Sequence, residues 1–80
     1  MSPKWRWRLG KLKVHSGSEV CNILRAHGFT QIRRKGSHIL MQREIPGSTL
    51  TVPVPDHKEI KTGTLLSIIR QSGIPRSKFE

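Results

Sequence analysis

Residues 37–54 read Ser37-His38-Ile39-Leu40-Met41-Gln42-Arg43-Glu44-Ile45-Pro46-Gly47-Ser48-Thr49-Leu50-Thr51-Val52-Pro53-Val54. Two alternating segments flank a Pro-Gly pair. From Ser37 to Arg43, Ile39 and Met41 fall on one face and His38, Leu40 and Gln42 on the other, which is the period of a strand. From Ser48 to Val54, Leu50, Val52 and Val54 alternate with Thr49, Thr51 and Pro53. Pro46-Gly47 is a strong turn signal between them. Pro53 and Pro55 have no N–H to give a ladder, so the later strand belongs at a sheet edge.

Working outward, Phe29–Arg34 carries Ile32 among polar residues and reads as a further strand, with Lys35-Gly36 as the turn into Ser37. In a simple meander the strand that begins at Ser37 is central, and His38 stands at its start beside the first hairpin. Upstream, Ser16-Gly17-Ser18-Glu19 fits a capping box. Val20, Ile23, Leu24 and His27 follow at the spacing of one helical face. Gly28 and Phe29 fit a Schellman-type end, so a helix is expected over about 17–27. Downstream, a second helix begins near Thr62 or Gly63. Leu65, Leu66, Ile68 and Ile69 form its apolar stripe and Gly73 ends it. Phe79 is expected to fold back as a last core anchor. The expected fold class is α+β, in the order αβββα: a three-stranded antiparallel sheet with two helices on one face. The other face is left to solvent and carries Arg33, His38, Gln42, Thr49 and Thr51.

The chain has 80 residues, which limits it to one small domain and excludes a multi-domain enzyme, a large cofactor fold or a P-loop NTPase. Lys and Arg number 15 against 5 Asp plus Glu, a formal charge of +10, and so large a surplus favours a polyanionic partner. Residues 1–15 hold Lys4, Arg6, Arg8, Lys11 and Lys13 and no acid. They read as a basic N-terminal arm, disordered in the free protein, ahead of a folded domain over 16–80. Trp5 and Trp7 alternate there with Arg6 and Arg8, a pattern suited to stacking on bases and gripping phosphates, or to an added strand. No apolar run approaches a membrane span, and the start lacks the apolar core of a signal peptide. Cys21 is a lone cysteine with no internal disulfide partner, so a reducing cytoplasm is the expected setting and a small packing residue the expected role.

No metal or cofactor site is expected. His15, His27, His38 and His57 are scattered, and no HExxH, CxxC or paired-carboxylate spacing occurs. The remaining candidate is the basic loop Arg33-Arg34-Lys35-Gly36-Ser37-His38. Arg and Lys can neutralise a phosphodiester and the charge that grows on it in a transition state. Gly36 permits close backbone approach. Histidine is the side chain whose free pKa lies near neutrality, so it can move a proton at cellular pH. RNA supplies its own nucleophile in the 2′-hydroxyl. Taken alone, the loop leaves two alternatives: a proton carrier at His38, or the commoner case of a polar strand residue. Lys58 and Lys61, at the start of the second helix, suit either a phosphate contact or a solvated basic turn. His27 suits a helix-closing role and His57 a turn.

The order Ile23-Leu24-Arg25-Ala26-His27-Gly28-Phe29, Arg34-Lys35-Gly36-Ser37-His38, Thr51-Val52-Pro53, Lys58-Glu59-Ile60-Lys61-Thr62-Gly63-Thr64-Leu65 and Ile68-Ile69-Arg70-Gln71-Ser72-Gly73-Ile74 resembles the HicA family of toxins, also described as YcfA-like mRNA interferases. The resemblance covers residues 16–80. It implies a fold like that of double-stranded-RNA-binding domains, cleavage of mRNA, and a HicB-type antitoxin as partner. The family's catalytic histidine falls on His38 in Gly36-Ser37-His38. Beside it, the basic loop and the start of the second helix give Arg33, Arg34, Lys35, Gly36, Ser37, Lys58 and Lys61 as the expected RNA and phosphate contacts. Two departures stand out: the extra arm Met1 to His15, and Ile39-Leu40-Met41 where a strongly aromatic residue would be usual. The alternatives are a double-stranded-RNA-binding module that does not cut and a domain whose basic face chiefly docks an acidic protein.

Overall fold

Ser16 starts the first helix as its spacing requires. In a computed structural model, which describes residues 12–80, helix α1 spans Gly17–Ala26. The expectations for Trp5, Trp7 and the basic residues up to Lys11 lie outside the described residues. The Glu19 N–H donates to Ser16 Oγ at 3.1 Å and the Ser16 N–H to Glu19 Oε1 at 3.2 Å. Such a cap hydroxyl contributes about 1 kcal/mol. The hydrogen bond from the Ser16 backbone, helped by the Ser16 side chain, holds the Glu19 carboxyl below its ordinary pKa. At the other end the Phe29 N–H bonds to the Leu24 carbonyl and the Gly28 N–H to that of Arg25, the two bonds of a Schellman motif. Gly28 takes φ +91°, which a side chain would resist.

Strands β1 (Thr30–Lys35), β2 (His38–Ile45) and β3 (Ser48–Pro55) form one antiparallel sheet in the order β1-β2-β3. Helix α2 (Thr62–Ser72) and a single 3₁₀ turn (Arg76–Phe79) complete the chain. β2 is central and β3 is an edge, where Pro53 and Pro55 are tolerated. Ile39 pairs with Val54 and Met41 with Val52. All four are buried, and α1 and α2 pack on this face through Val20, Cys21, Leu24, Leu65, Ile68 and Ile69. Phe29, Ile60, Ile74 and Phe79 close the core, with Phe79 folded back as its position suggested. Burial pushes the Cys21 thiol pKa up, in keeping with a packing role.

Three local expectations change. The first turn is Gly36-Ser37 rather than Lys35-Gly36, because Lys35 pairs with His38. Gly36, at φ +59°, then holds the first of the two loop positions, where a type II′ turn needs a positive φ. β2 runs on to Ile45, since the ladder continues until Ile45 meets Ser48 across the Pro46-Gly47 turn. Leu66 is 40% exposed. It lies a quarter-turn off the line through Leu65, Ile68 and Ile69 that meets the sheet.

Two described residues of the expected arm meet the domain: Leu12 is partly buried against the core, and His15 is held more closely. It is buried, and its Nε2–H donates to the Phe79 carbonyl at 2.5 Å. The carbonyl can only accept, so Nε2 carries the proton. The ring meets Phe79 edge-on, with centroids 6.1 Å apart. The His15 carbonyl also accepts the Ile60 N–H at 2.9 Å. His15 is therefore packed with the folded domain although it precedes the capping box. No helical periodicity reaches back to it, so nothing local marks its burial.

Candidate nucleic-acid interface

The β1–β2 hairpin sorts its basic residues onto two faces. Residues directly opposite in an antiparallel ladder point the same way. Lys35 is opposite His38 and Arg33 opposite Leu40, and neither His38 nor Leu40 belongs to the helix-covered set. Arg33, Lys35 and His38 therefore share the open face, and all three are exposed. Gln42 and Thr51 lie farther along it, joined by a 3.2 Å hydrogen bond from Gln42 Nε2 to Thr51 Oγ1. His38 opens β2 between Lys35 on one neighbour and Pro55 on the other. Its imidazole has no hydrogen-bond partner among the described residues.

Arg34 is opposite Ile39, so it points to the helix side of the sheet. Its Nη2 donates to Asp56 Oδ2 at 2.5 Å. The structure thus brings Arg33 and Lys35 to His38 and sets Arg34 apart from them. Gly36 and Ser37 form the turn, and the Ser37 carbonyl accepts the Asp56 N–H at 2.7 Å. Lys58 and Lys61 are exposed in the segment that leaves β3 at the His38 end of the sheet. Lys61 is the N-cap of α2 and makes no side-chain cap bond. His57 is exposed in this segment, and its carbonyl accepts the Gly17 N–H at 2.8 Å. His27 closes α1, with Nδ1 2.9 Å from the Ile23 carbonyl. Among the described residues no three His, Cys, Asp or Glu side chains converge as metal ligands would. Among the same residues no helix is long and apolar enough to cross a membrane.

Asp56 is the residue that motif reading passed over. One signal was available. Pairing runs symmetrically away from the Pro46-Gly47 turn, so fixing Ile45 opposite Ser48 sets His38 opposite Pro55 and Asp56 beside the Gly36-Ser37 turn. Its partnership with Arg34, 22 residues away, has no counterpart in local sequence.

The described domain is α+β, with an exposed histidine and two exposed cations at one end of its open sheet face, a cationic surface whose charge complements a polyanion. Residues 17–74, more than half of the chain, match the family model described as HicA toxin of bacterial toxin-antitoxin, and the chain belongs to that family. Its members are toxins that work with an antitoxin partner. The matched span includes the whole β1–β2 hairpin, Asp56, Lys58 and Lys61. None of the curated proteins matches the chain.

Proposed function

We propose that this toxin is a metal-independent endoribonuclease that cleaves mRNA, with His38 as the general acid or base. The observation that carries the reading is the shared open face of His38, Lys35 and Arg33. In this reaction the 2′-oxygen of a ribose attacks the adjacent phosphorus, and the bond from phosphorus to the 5′-oxygen breaks. The 2′-hydroxyl gives up its proton and the leaving 5′-oxygen takes one. His38 is placed to carry a proton in that exchange. Lys35 and Arg33 meet the non-bridging oxygens, where negative charge grows. Lys58 and Lys61 extend the cationic surface along the RNA backbone. An mRNA substrate implies a cytoplasmic site of action.

The expected result is cleavage by the purified protein in EDTA, leaving a 2′,3′-cyclic phosphate. A single 2′-deoxy substitution at the scissile nucleotide should stop the cut. Efficient cutting of that substituted RNA, or of DNA, would rule out the 2′-hydroxyl mechanism. Salt-steep RNA binding with no cleavage would instead identify a double-stranded-RNA-binding module.

The antitoxin is expected to be a HicB-type protein that covers His38 and the Arg33–Lys35 segment. The charge of +10 would otherwise engage cellular RNA without restraint. Complementary charge should speed the association and make it salt-sensitive. Arg33→Glu with Lys35→Glu should weaken both RNA and antitoxin binding at least about tenfold, at ~1.4 kcal/mol per tenfold. Competition binding checks this: RNA and antitoxin held together with cleavage intact would place the partner elsewhere.

A further inference from the structure

We propose that Asp56 is a positioning residue that braces the His38 hairpin through Arg34 and Ser37, and that Arg34 serves as half of this brace rather than as a phosphate contact. The inference rests on the endoribonuclease reading for its kinetic arm only. It begins with how the hairpin is held. All six residues of β1 are exposed, so no side chain of that strand anchors it in the core. β1 is an edge strand, and a shift in register marks an irregularity between Gln31 and Arg33. Far from the turn, Arg25 of α1 donates to Gln31 Oε1 at 3.3 Å. At the turn itself nothing lies within 4 Å of the site where a Gly36 side chain would begin.

Asp56 supplies what packing does not. Its N–H donates to the Ser37 carbonyl at 2.7 Å, and its carboxylate accepts from the Arg34 guanidinium at 2.5 Å. Together these bonds reach both the turn and the last part of β1. Asp56 is itself well supported. Pro55 before it is buried opposite His38, and the His57 carbonyl after it receives the N–H of Gly17 at the start of α1. The brace therefore runs from the helix layer to the turn that leads directly into His38. Proton transfer depends steeply on placement, and a displacement of about 1 Å can cost on the order of 100-fold in rate.

Both partners of the ion pair reach solvent, Arg34 at 53% and Asp56 at 36% side-chain exposure. Exposed pairs contribute little to global stability, so a merely structural pair here would leave both melting and catalysis almost unchanged. A brace predicts little change in melting but a large change in turnover. Arg34 on the helix side of the sheet also predicts a different signature from Arg33 and Lys35 on the open face. Losing a phosphate contact raises KM, whereas losing placement lowers kcat.

The test uses full-length protein, with Asp56→Asn, Arg34→Gln, their double variant and Asp56→Glu. Thermal melting, kcat and KM on RNA, and amide hydrogen exchange of residues 35–38 and 56 are measured on each. Asp56→Asn and Arg34→Gln should each lower kcat by roughly 10-fold or more with KM within about twofold. The double variant should lose no more than either single, because both remove one interaction. Asp56→Glu should recover part of the loss. Exchange at the hairpin and at the Asp56 amide should quicken at least about fivefold in both single variants while the core amides stay protected. Unchanged hairpin exchange in Asp56→Asn overturns the brace, with or without RNA cleavage. Wild-type kcat in Asp56→Asn alongside a raised KM in Arg34→Gln also overturns it, and returns Arg34 to the phosphate. Loosened exchange in a protein that never cleaves RNA upholds the brace and refutes the endoribonuclease reading instead.

Discussion

Replacing His38 with alanine is expected to abolish RNA cleavage while leaving the fold intact. One proton carrier commonly supplies ~10²–10⁴-fold in rate, so the variant should fall to the background of the assay. The side chain is exposed at the start of β2 and has no hydrogen-bond partner among the described residues. Its removal should therefore change stability by no more than about 0.5 kcal/mol. Cleavage of labelled RNA and the thermal melt, taken on the same preparation, check both halves. Full activity in His38→Ala would remove the histidine from the mechanism. A large fall in melting temperature would mean that the residue supports the fold.

Gly17→Ala is expected to destabilise the protein by about 3 kcal/mol, lowering the melting temperature by roughly 15 °C. The sign of this effect discriminates between two sources of stability. Alanine in place of glycine within a helix ordinarily gains about 1 kcal/mol. Here the added Cβ would lie 2.3 Å from the Pro55 carbonyl oxygen and 3.0 Å from the Asp56 Cα. Both are backbone atoms and cannot swing aside as a side chain tip would. The Gly17 N–H also bonds the His57 carbonyl at 2.8 Å, so the helix start cannot simply retreat. The same segment, Pro55 to His57, supports the His38 hairpin. A variant that melts at or above the wild-type temperature would show that the close approach of α1 to this segment is not tight in solution.

The features legible in the sequence are those written within a few residues of one another. The capping box at Ser16 and Glu19, the Schellman end at Gly28 and Phe29, and the alternation through Ile39, Met41, Val52 and Val54 each rest on local geometry or a short period. With the Pro46-Gly47 turn they led to the element order, the central place of β2 and the choice of buried face. His38 was legible as a candidate because the alternation put it on the open face and because few residue types move protons near neutrality.

What required the tertiary structure is what depends on distant partners. Arg33, Arg34 and Lys35 form an unbroken basic run in sequence, yet the pleat sends Arg34 to the opposite face, where Asp56 holds it across 22 residues. His15 looks like part of a charged arm until its ring is seen against Phe79, 64 residues later. Leu66 has the hydropathy of its neighbours but faces water, because the sheet spans only one side of α2. Gly17 resembles an ordinary first-turn residue until β3 and the segment after it come to lie against α1. Periodicity and turn chemistry act through bonds along the chain, so the order of the two helices and three strands, and most of their buried faces, could be read before any contact was seen. Pairing of charges, burial of a lone histidine and the clearance beside a glycine arise only when separate elements meet, and those the tertiary structure decided.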